Sequence, residues 1–237
     1  MKSIAKAAFI ASFALVPLAL SAAEPTAGAR TDLYHVHFAK AAPGKAAQMQ
    51  ENMKKADPLA PMPDHVIVLR HQDGDAWDFV EIEHLGTKIT LDAARQPVPP
   101  AQRNIGDWHT DTYALGPPWA QFSKAMGIDG ADKAKTAGAA YTVSTYRAVP
   151  GGRDALDTFL SEPPSRPSDT SAGSVVLQHL EGADWNFLSL VRYDSWQSFG
   201  TNESNSVADT AKGQGGFFKL RELVAHHTDT LATRVAP

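Results

Sequence analysis

His109-Thr110-Asp111-Thr112 recurs as His227-Thr228-Asp229-Thr230. The echo has company upstream. Tyr34-His35-Val36, followed by Pro43-Gly44, matches Tyr141-Thr142-Val143, followed by Pro150-Gly151. His71-Gln72-Asp73-Gly74-Asp75-Ala76-Trp77-Asp78-Phe79 matches His179-Leu180-Glu181-Gly182-Ala183-Asp184-Trp185-Asn186-Phe187. The three anchors keep their order and are separated by 107, 108 and 118 positions (34 to 141, 77 to 185, 109 to 227). A unit duplicated once, with an insertion late in the second copy, accounts for both the order and the growing offset.

Each copy carries the same succession of periodicities. Leu33 to Ala39 alternates, with Tyr34, Val36 and Phe38 on one face and His35 and His37 on the other, which is the period of a strand. Lys45 to Lys55 reads as a helix, and three prolines make 57–63 a loop. His65 to His71 and Trp77 to Leu85 are strands around the hairpin signal Asp73-Gly74-Asp75. A weak, proline-rich helical region is expected from Leu91 to Ile105, and Trp108 to Leu115 is a fourth strand. The second copy predicts strands at 140–148, 174–180, 185–193 and 223–235, with a helix at 153–160. A helical region beginning at Ser195 is expected to break at polar Thr201 to Ser206 and to end near Phe217 to Glu222. The expected units are therefore a first repeat over 32–115, a connector over 116–138 with a short helix at Trp119 to Met126, and a second repeat over 139–237.

A β-α-β-β-α-β unit is ferredoxin-like, a four-stranded antiparallel sheet with helices on one face. Given this order, the duplication and the Trp-x-Phe hairpins Trp77/Phe79 and Trp185/Phe187, the chain resembles the dimeric α+β barrel superfamily. That group includes antibiotic-biosynthesis-monooxygenase-like and stress-responsive-barrel proteins. The resemblance implies an α+β fold of two tandem repeats, their sheets packed face to face as a pseudo-dimeric barrel. It also implies a cavity between the sheets for a small organic molecule or haem. Fold alone does not assign a reaction.

The first 23 residues follow the pattern of a secretory signal. Lys2 and Lys6 precede an apolar run from Ala7 to Leu20 and the small residues Ser21-Ala22-Ala23. The run is short for a membrane span, so no stable membrane insertion is expected after its removal. Residues 24–31 would be a flexible leader. Export across an inner membrane to a periplasm, or on to the medium, is the expected destination. The absence of cysteine excludes disulfides, thiolate metal sites and haem thioether links. The formal charge of −4 offers no basic face for nucleic acid. A fused pair mimics a homodimer, so a monomer suffices and further association is open.

Chemistry is expected where the first and last strands of a repeat meet, because a 4-1-3-2 sheet order makes them neighbours. If the Tyr34, Val36 and Phe38 face meets the helices, His35 and His37 point between the sheets. His109 and Asp111 share one face of the fourth strand. Three imidazoles and a carboxylate then converge, a ligand set suited to zinc, iron, copper or manganese, or to haem. The second copy carries Thr142 and Ser144 in place of the histidine pair, and His227 and Asp229 in place of His109 and Asp111. Any metal site is therefore single, and the shared His-Thr-Asp-Thr reads as structural. Secondary cavity candidates are His84, its counterpart Arg192, Tyr146, and the second copy's His227 and Asp229. His71 and His179 read as turn-stabilising, Trp77 and Trp185 as core anchors, and Glu81 and Glu83 as a solvated or edge pattern. No phosphate loop, dinucleotide fingerprint, nucleophile elbow or His-Glu-x-x-His occurs.

Three functions stay open. The first is an exported protein binding a small apolar or aromatic molecule in an inter-sheet cavity. The second is a metal-dependent, haem-dependent or cofactor-free monooxygenase-like enzyme on the same barrel. The third is a structural module without a ligand. The difference between the histidine pair of one copy and the hydroxyls of the other favours the first two.

Overall fold

The structure, a computed structural model, describes residues 29–58, 60–86, 105–163 and 166–237. The expected signal segment, most of the leader and the proline-rich region before Ile105 lie outside the described residues. Among the described residues eight strands form one antiparallel sheet accompanied by six helices. The first half contains β1 (Asp32–Ala41), α1 (Ala46–Met53), β2 (Val66–Asp73), β3 (Phe79–Gly86) and β4 (Gly106–Gly116). Then come α2 (Trp119–Met126) and α3 (Asp132–Lys135). The second half contains β5 (Ala140–Ala148), α4 (Arg153–Ser161), β6 (Gly173–Glu181), β7 (Phe187–Tyr193), α5 (Trp196–Ala211), α6 (Phe217–Leu223) and β8 (Val224–Ala236). Among the described residues no helix is long and apolar enough to cross a membrane.

The strands close into a barrel in the order β1-β3-β2-β8-β5-β7-β6-β4. Each half contributes the expected 4-1-3-2 run or its equivalent, 8-5-7-6. The sheets are not two separate layers: β2 pairs with β8 and β4 pairs with β6, so no free edge remains.

One apolar cluster draws on all eight strands and fills the interior. Tyr34, Val36 and Phe38 of β1 meet Ile67 and Leu69 of β2, Val80 and Ile82 of β3, and Leu188 and Leu190 of β7. This reverses the expected facing: the apolar side of β1 points into the barrel, and His35 and His37 point outward. The physical reason is demand. A closed barrel must fill its centre from every strand, so the larger apolar set goes inside. The outer face is covered by smaller clusters. Met49 of α1 packs with Ala39, Ala41, Phe79 and Ile105. Leu156 of α4 and Leu223 of α6 pack with Tyr146 and Phe187.

The connector plugs one end of the barrel. Phe122 and Met126 of α2 are fully buried in the central cluster, and Phe122 stacks on Tyr34 at 5.1 Å. The repeated tyrosines both anchor this segment. Tyr34 donates to Pro117 O at 2.7 Å, and Tyr141 donates to Met126 O at 2.9 Å. Burial pushes both phenols above their ordinary pKa, so they remain donors.

At the opposite end two hairpins reach across to the other half. Gly74, between β2 and β3, lies against β8, and Gly182, between β6 and β7, lies against β4. A Cβ on Gly74 would stand 2.5 Å from Asp229 O, and one on Gly182 2.3 Å from Asp111 O. Both glycines also have φ near +120° (+122° and +119°), which side-chain-bearing residues rarely adopt. The last threonine of each His-Thr-Asp-Thr receives the neighbouring turn: Ala183 N donates to Thr112 Oγ1 at 3.2 Å, and Asp75 N to Thr230 Oγ1 at 3.4 Å. The structural reading of the repeated motif thus has a mechanism.

One local difference stands out. The helix expected to break at 201–206 continues as α5 to Ala211. Its start is capped by Ser195, which accepts from Ser198 N at 3.1 Å. Asn202 turns inward and donates to Tyr193 Oη at 3.1 Å, so a polar residue there ties the helix down instead of ending it. His71 and His179 meet Trp77 and Trp185 edge-on at 5.6 and 5.5 Å.

We expect Gly74→Ala and Gly182→Ala each to destabilise the protein by at least about 1–3 kcal/mol, because strain and backbone overlap act together. Thr112→Val and Thr230→Val should cost roughly 1 kcal/mol each. Urea unfolding midpoints check this, and unchanged midpoints for both glycine variants would contradict the clasp.

Candidate functional site

The outer face of β1 lies between β3 and β4, and register decides what meets there. His35 stands opposite Glu83 and Tyr113, and His37 stands opposite Glu81 and Asp111. Period two keeps all six side chains on one face. Asp111 is the hub. Its Oδ1 lies 2.8 Å from His35 Nε2 and 2.9 Å from His37 Nδ1. Its Oδ2 lies 3.4 Å from His109 Nε2. The other nitrogen of His35, Nδ1, is 2.8 Å from Glu83 Oε2. One ligand atom each from His35, His37 and Asp111 lies within 4.8 Å of the others.

Burial is graded across the cluster. His35 is 4 % exposed, His37 is half-buried, and the His109 side chain is 61 % exposed. The expected convergence of His35, His37 and Asp111 is therefore present, with His109 at its solvent edge. Its position differs from the expectation, since the group stands outside the barrel and not between the sheets.

An imidazole with a carboxylate oxygen 2.8 Å from each nitrogen has two ways to satisfy both contacts. Either both nitrogens carry protons and the ring is a cation, or Nδ1–H donates to Glu83 while the Nε2 lone pair shares a cation with Asp111. In either state Glu83 fixes the ring. The hydrogen bonds from His35, then His37, hold the Asp111 carboxyl far below the usual carboxylate range, against the opposing effect of burial. Glu81 behaves in the opposite way. Burial, and then the charge of Glu83, push its carboxyl up to about 7, with His37 and His35 opposing.

The second half lacks this arrangement. Ser144 stands opposite Asp229 where His37 stands opposite Asp111. Among the described residues Asp229 keeps the side-chain contact from its own motif, His227 Nε2 at 3.4 Å from Oδ2, the same distance as His109 to Asp111. Tyr146 does not enter the interior. It belongs to the outer cluster under α4 and α6 and stacks on His227 at 5.9 Å, because the even-numbered residues of β5 face outward at that point. Burial, then Asp229, push its phenol up to about 12.

His84 and Arg192 do face inward, at the plugged end. His84 Nε2 lies 2.7 Å from Asp32 Oδ2, and His84 Nδ1 lies 2.9 Å from His65 Nδ1. Trp119 stacks on His65 at 4.6 Å. Arg192 donates to Ala125 O, Ala172 O and Asp194. Its guanidinium is therefore committed to holding the connector and is not offered to a cavity.

Sequence reasoning missed Glu83, Glu81 and His65. The two glutamates were legible in principle. The expected strand order already placed β3 beside β1, and period two puts Glu81 and Glu83 on the face of His37 and His35. No sequence signal ties His65, just before β2, to His84.

No family model matches the chain, and no curated protein matches it. A solved structure of an anthrone oxidase-like protein superimposes with a TM-score of 0.58 at 14 % identity, covering 88 % of this chain and 93 % of that one. A "putative monooxygenase" from Lactobacillus acidophilus NCFM matches with a TM-score of 0.45 at 9 % identity, over 86 % of this chain and 94 % of its own. At such identity the first likeness is one of fold. The chain has a mixed α+β fold similar to that of the anthrone oxidase-like protein, with a two-histidine, one-aspartate cluster on its outer face.

Glu81 yields a test by pH. The folded protein keeps the Glu81 proton in a window where the unfolded chain has lost it, so stability should fall as pH rises from the ordinary 4.5 through about 7. In chelator-treated protein we expect Glu81→Gln to remove that decline and to be the more stable form at pH 8, by up to about 3 kcal/mol. Denaturation across pH 4–8 checks it, and parallel curves for the two proteins would contradict it.

Proposed function

We propose that this protein is an oxidase- or monooxygenase-type enzyme acting on a small organic molecule, with a divalent first-row metal ion at its centre. The ion is held by His35, His37 and Asp111. One observation carries the reading: two imidazole nitrogens each meet the same carboxylate and ligand atoms of all three residues lie within 4.8 Å of one another, while a further carboxylate, Glu83, orients the most buried ring from behind. A two-histidine, one-carboxylate set suits divalent first-row metals and leaves coordination positions open for substrate or dioxygen. An outer carboxylate on the far nitrogen of a ligating histidine is the usual means of fixing its tautomer. His109, at the exposed edge, is available as a fourth donor. A haem fits less well, because the Asp111 oxygen 2.8 Å from His35 Nε2 takes the space a porphyrin would need.

Glu81 favours a second reading. A carboxyl with its pKa pushed up to about 7, beside His37, can trade a proton near neutrality, and such a group serves acid–base chemistry without a metal. The duplication belongs to the same proposal. The repeated anchors and the matching strand orders of the two halves support two fused ferredoxin-like units, of which only the first carries the histidine pair. The signal-like first 23 residues support export to a periplasm or beyond.

The test is elemental analysis of tag-free mature protein, followed by thermal shift of the chelated form with manganese, iron(II), cobalt, copper and zinc salts. We expect about one equivalent of metal, and roughly 2.7 kcal/mol of stabilisation at a hundredfold excess over Kd. Both should vanish in His35→Ala/His37→Ala and persist in a His227 variant. A metal-free protein stabilised by none of the five ions would overturn the metal reading. Activity that survives chelation but is lost in Glu81→Gln would establish the second.

A further inference from the structure

Phe122 and Met126 of α2 fill one end of the barrel, but the other end is not filled. There a recess of about 310 Å³ opens between the two halves. Its walls are aromatic: Phe38 and Trp77 come from the first half, Trp185 from the second, and Trp108, 37 % exposed, stands at the rim. At this level the inward positions of β4, β5 and β8 are all threonine. Thr110, Thr145 and Thr228 line the recess, and the hydroxyls of Thr110 and Thr145 have no hydrogen-bond partner among the described residues. The rim adds Arg147, whose ion-pair partner is the highly exposed Asp184 at 3.5 Å, and His226. None of the outer-face cluster lines this recess.

These features select a ligand class. The volume is at the small end for ligand pockets, enough for one or two fused rings. Indole and phenyl walls favour a flat π-system. Unpaired hydroxyls and a guanidinium with free donors favour an acceptor oxygen. We infer that the open end of the barrel is a binding site for a small planar aromatic molecule bearing a carbonyl or carboxylate oxygen, seated against Trp77 and Trp185 with that oxygen toward the threonine hydroxyls and Arg147. The two halves supply it unequally. The first half has Phe38 where the second has Thr145, and Trp108 where the second has His226, so the second half supplies the more polar side of the recess, which orients the ligand. This site stands apart from the proposed metal centre and does not depend on it.

The experiment is titration of the mature protein, followed by tryptophan fluorescence and calorimetry, with 2-naphthoate, 2-acetylnaphthalene and cyclohexanecarboxylate. One-to-one saturable binding of either naphthalene is expected, with cyclohexanecarboxylate at least about tenfold weaker. Thr145→Phe fills the recess with the residue the other half carries at the matching position, and should weaken binding by at least about tenfold. Trp108→Ala, at the exposed rim, gives a second variant that leaves the core alone and should weaken it roughly threefold or more. Arg147→Gln should weaken 2-naphthoate but not 2-acetylnaphthalene, which separates a carboxylate ligand from a carbonyl one. His35→Ala/His37→Ala should bind as the parent does, whatever becomes of the metal. Failure of both naphthalenes to saturate, equal binding of cyclohexanecarboxylate, or undiminished binding in both Thr145→Phe and Trp108→Ala would each overturn the inference.

Discussion

Two close backbone contacts clasp the halves of the barrel where β2 pairs with β8 and β4 with β6. Each hairpin glycine stands so close to a carbonyl of the opposite half that no side chain fits between them, and each turn gives an N–H to a threonine there. The contacts are reciprocal, so neither half is clasped without the other. Closure removes the four sheet edges that two open four-stranded sheets would present, and it sets the demand for an apolar interior. It also explains why His-Thr-Asp-Thr occurs twice. The second threonine is the receiver of the clasp, and the aspartate one residue earlier is turned outward by the strand's own alternation.

That outward aspartate is where the halves part company. Asp111 and Asp229 occupy matching strands and each has its motif histidine at 3.4 Å. Only Asp111 is met from the neighbouring strand by two imidazoles, and only there do glutamates line the far side. The clasp thus provides a rigid strand pair in both halves, and substitution at 35 and 37 turns one of them into a cluster with chemical potential. A polar group built on paired strands is held more precisely than one on a loop. The open end of the barrel follows from the same closure: the hairpins meet at the rim and the connector fills only the other end.

Most of the architecture was legible from residue patterns. Alternation in Leu33–Ala39 and Ala140–Ala148, the Asp-Gly-Asp turn and the short helix at 119–126 all lie where the patterns put them. The convergence of His35, His37 and Asp111 was legible too, because it needs only period two and the neighbouring of first and last strands. Facing was not. On β1 both faces are largely buried, so burial alone could not say whether Tyr34, Val36 and Phe38 or the histidines look inward. The choice is settled by closure of the whole barrel, which no single strand encodes. Glu81 and Glu83 resembled a solvated edge because their strand was considered alone and not beside β1. Tyr146 and Arg192 were assigned to a cavity for the same reason. One lies under helices, and the other is spent on backbone carbonyls of the connector and its surroundings.

The central claim is that the outer face of β1 and β4, and not its counterpart on β5 and β8, is a metal centre. Anomalous diffraction from crystals grown with cobalt, collected on both sides of the metal edge, tests it most directly. The account predicts one strong peak about 2.0–2.2 Å from His35 Nε2, His37 Nδ1 and an Asp111 oxygen, and none beside Asp229. No peak at that cluster, or equal peaks beside Asp111 and Asp229, would contradict it.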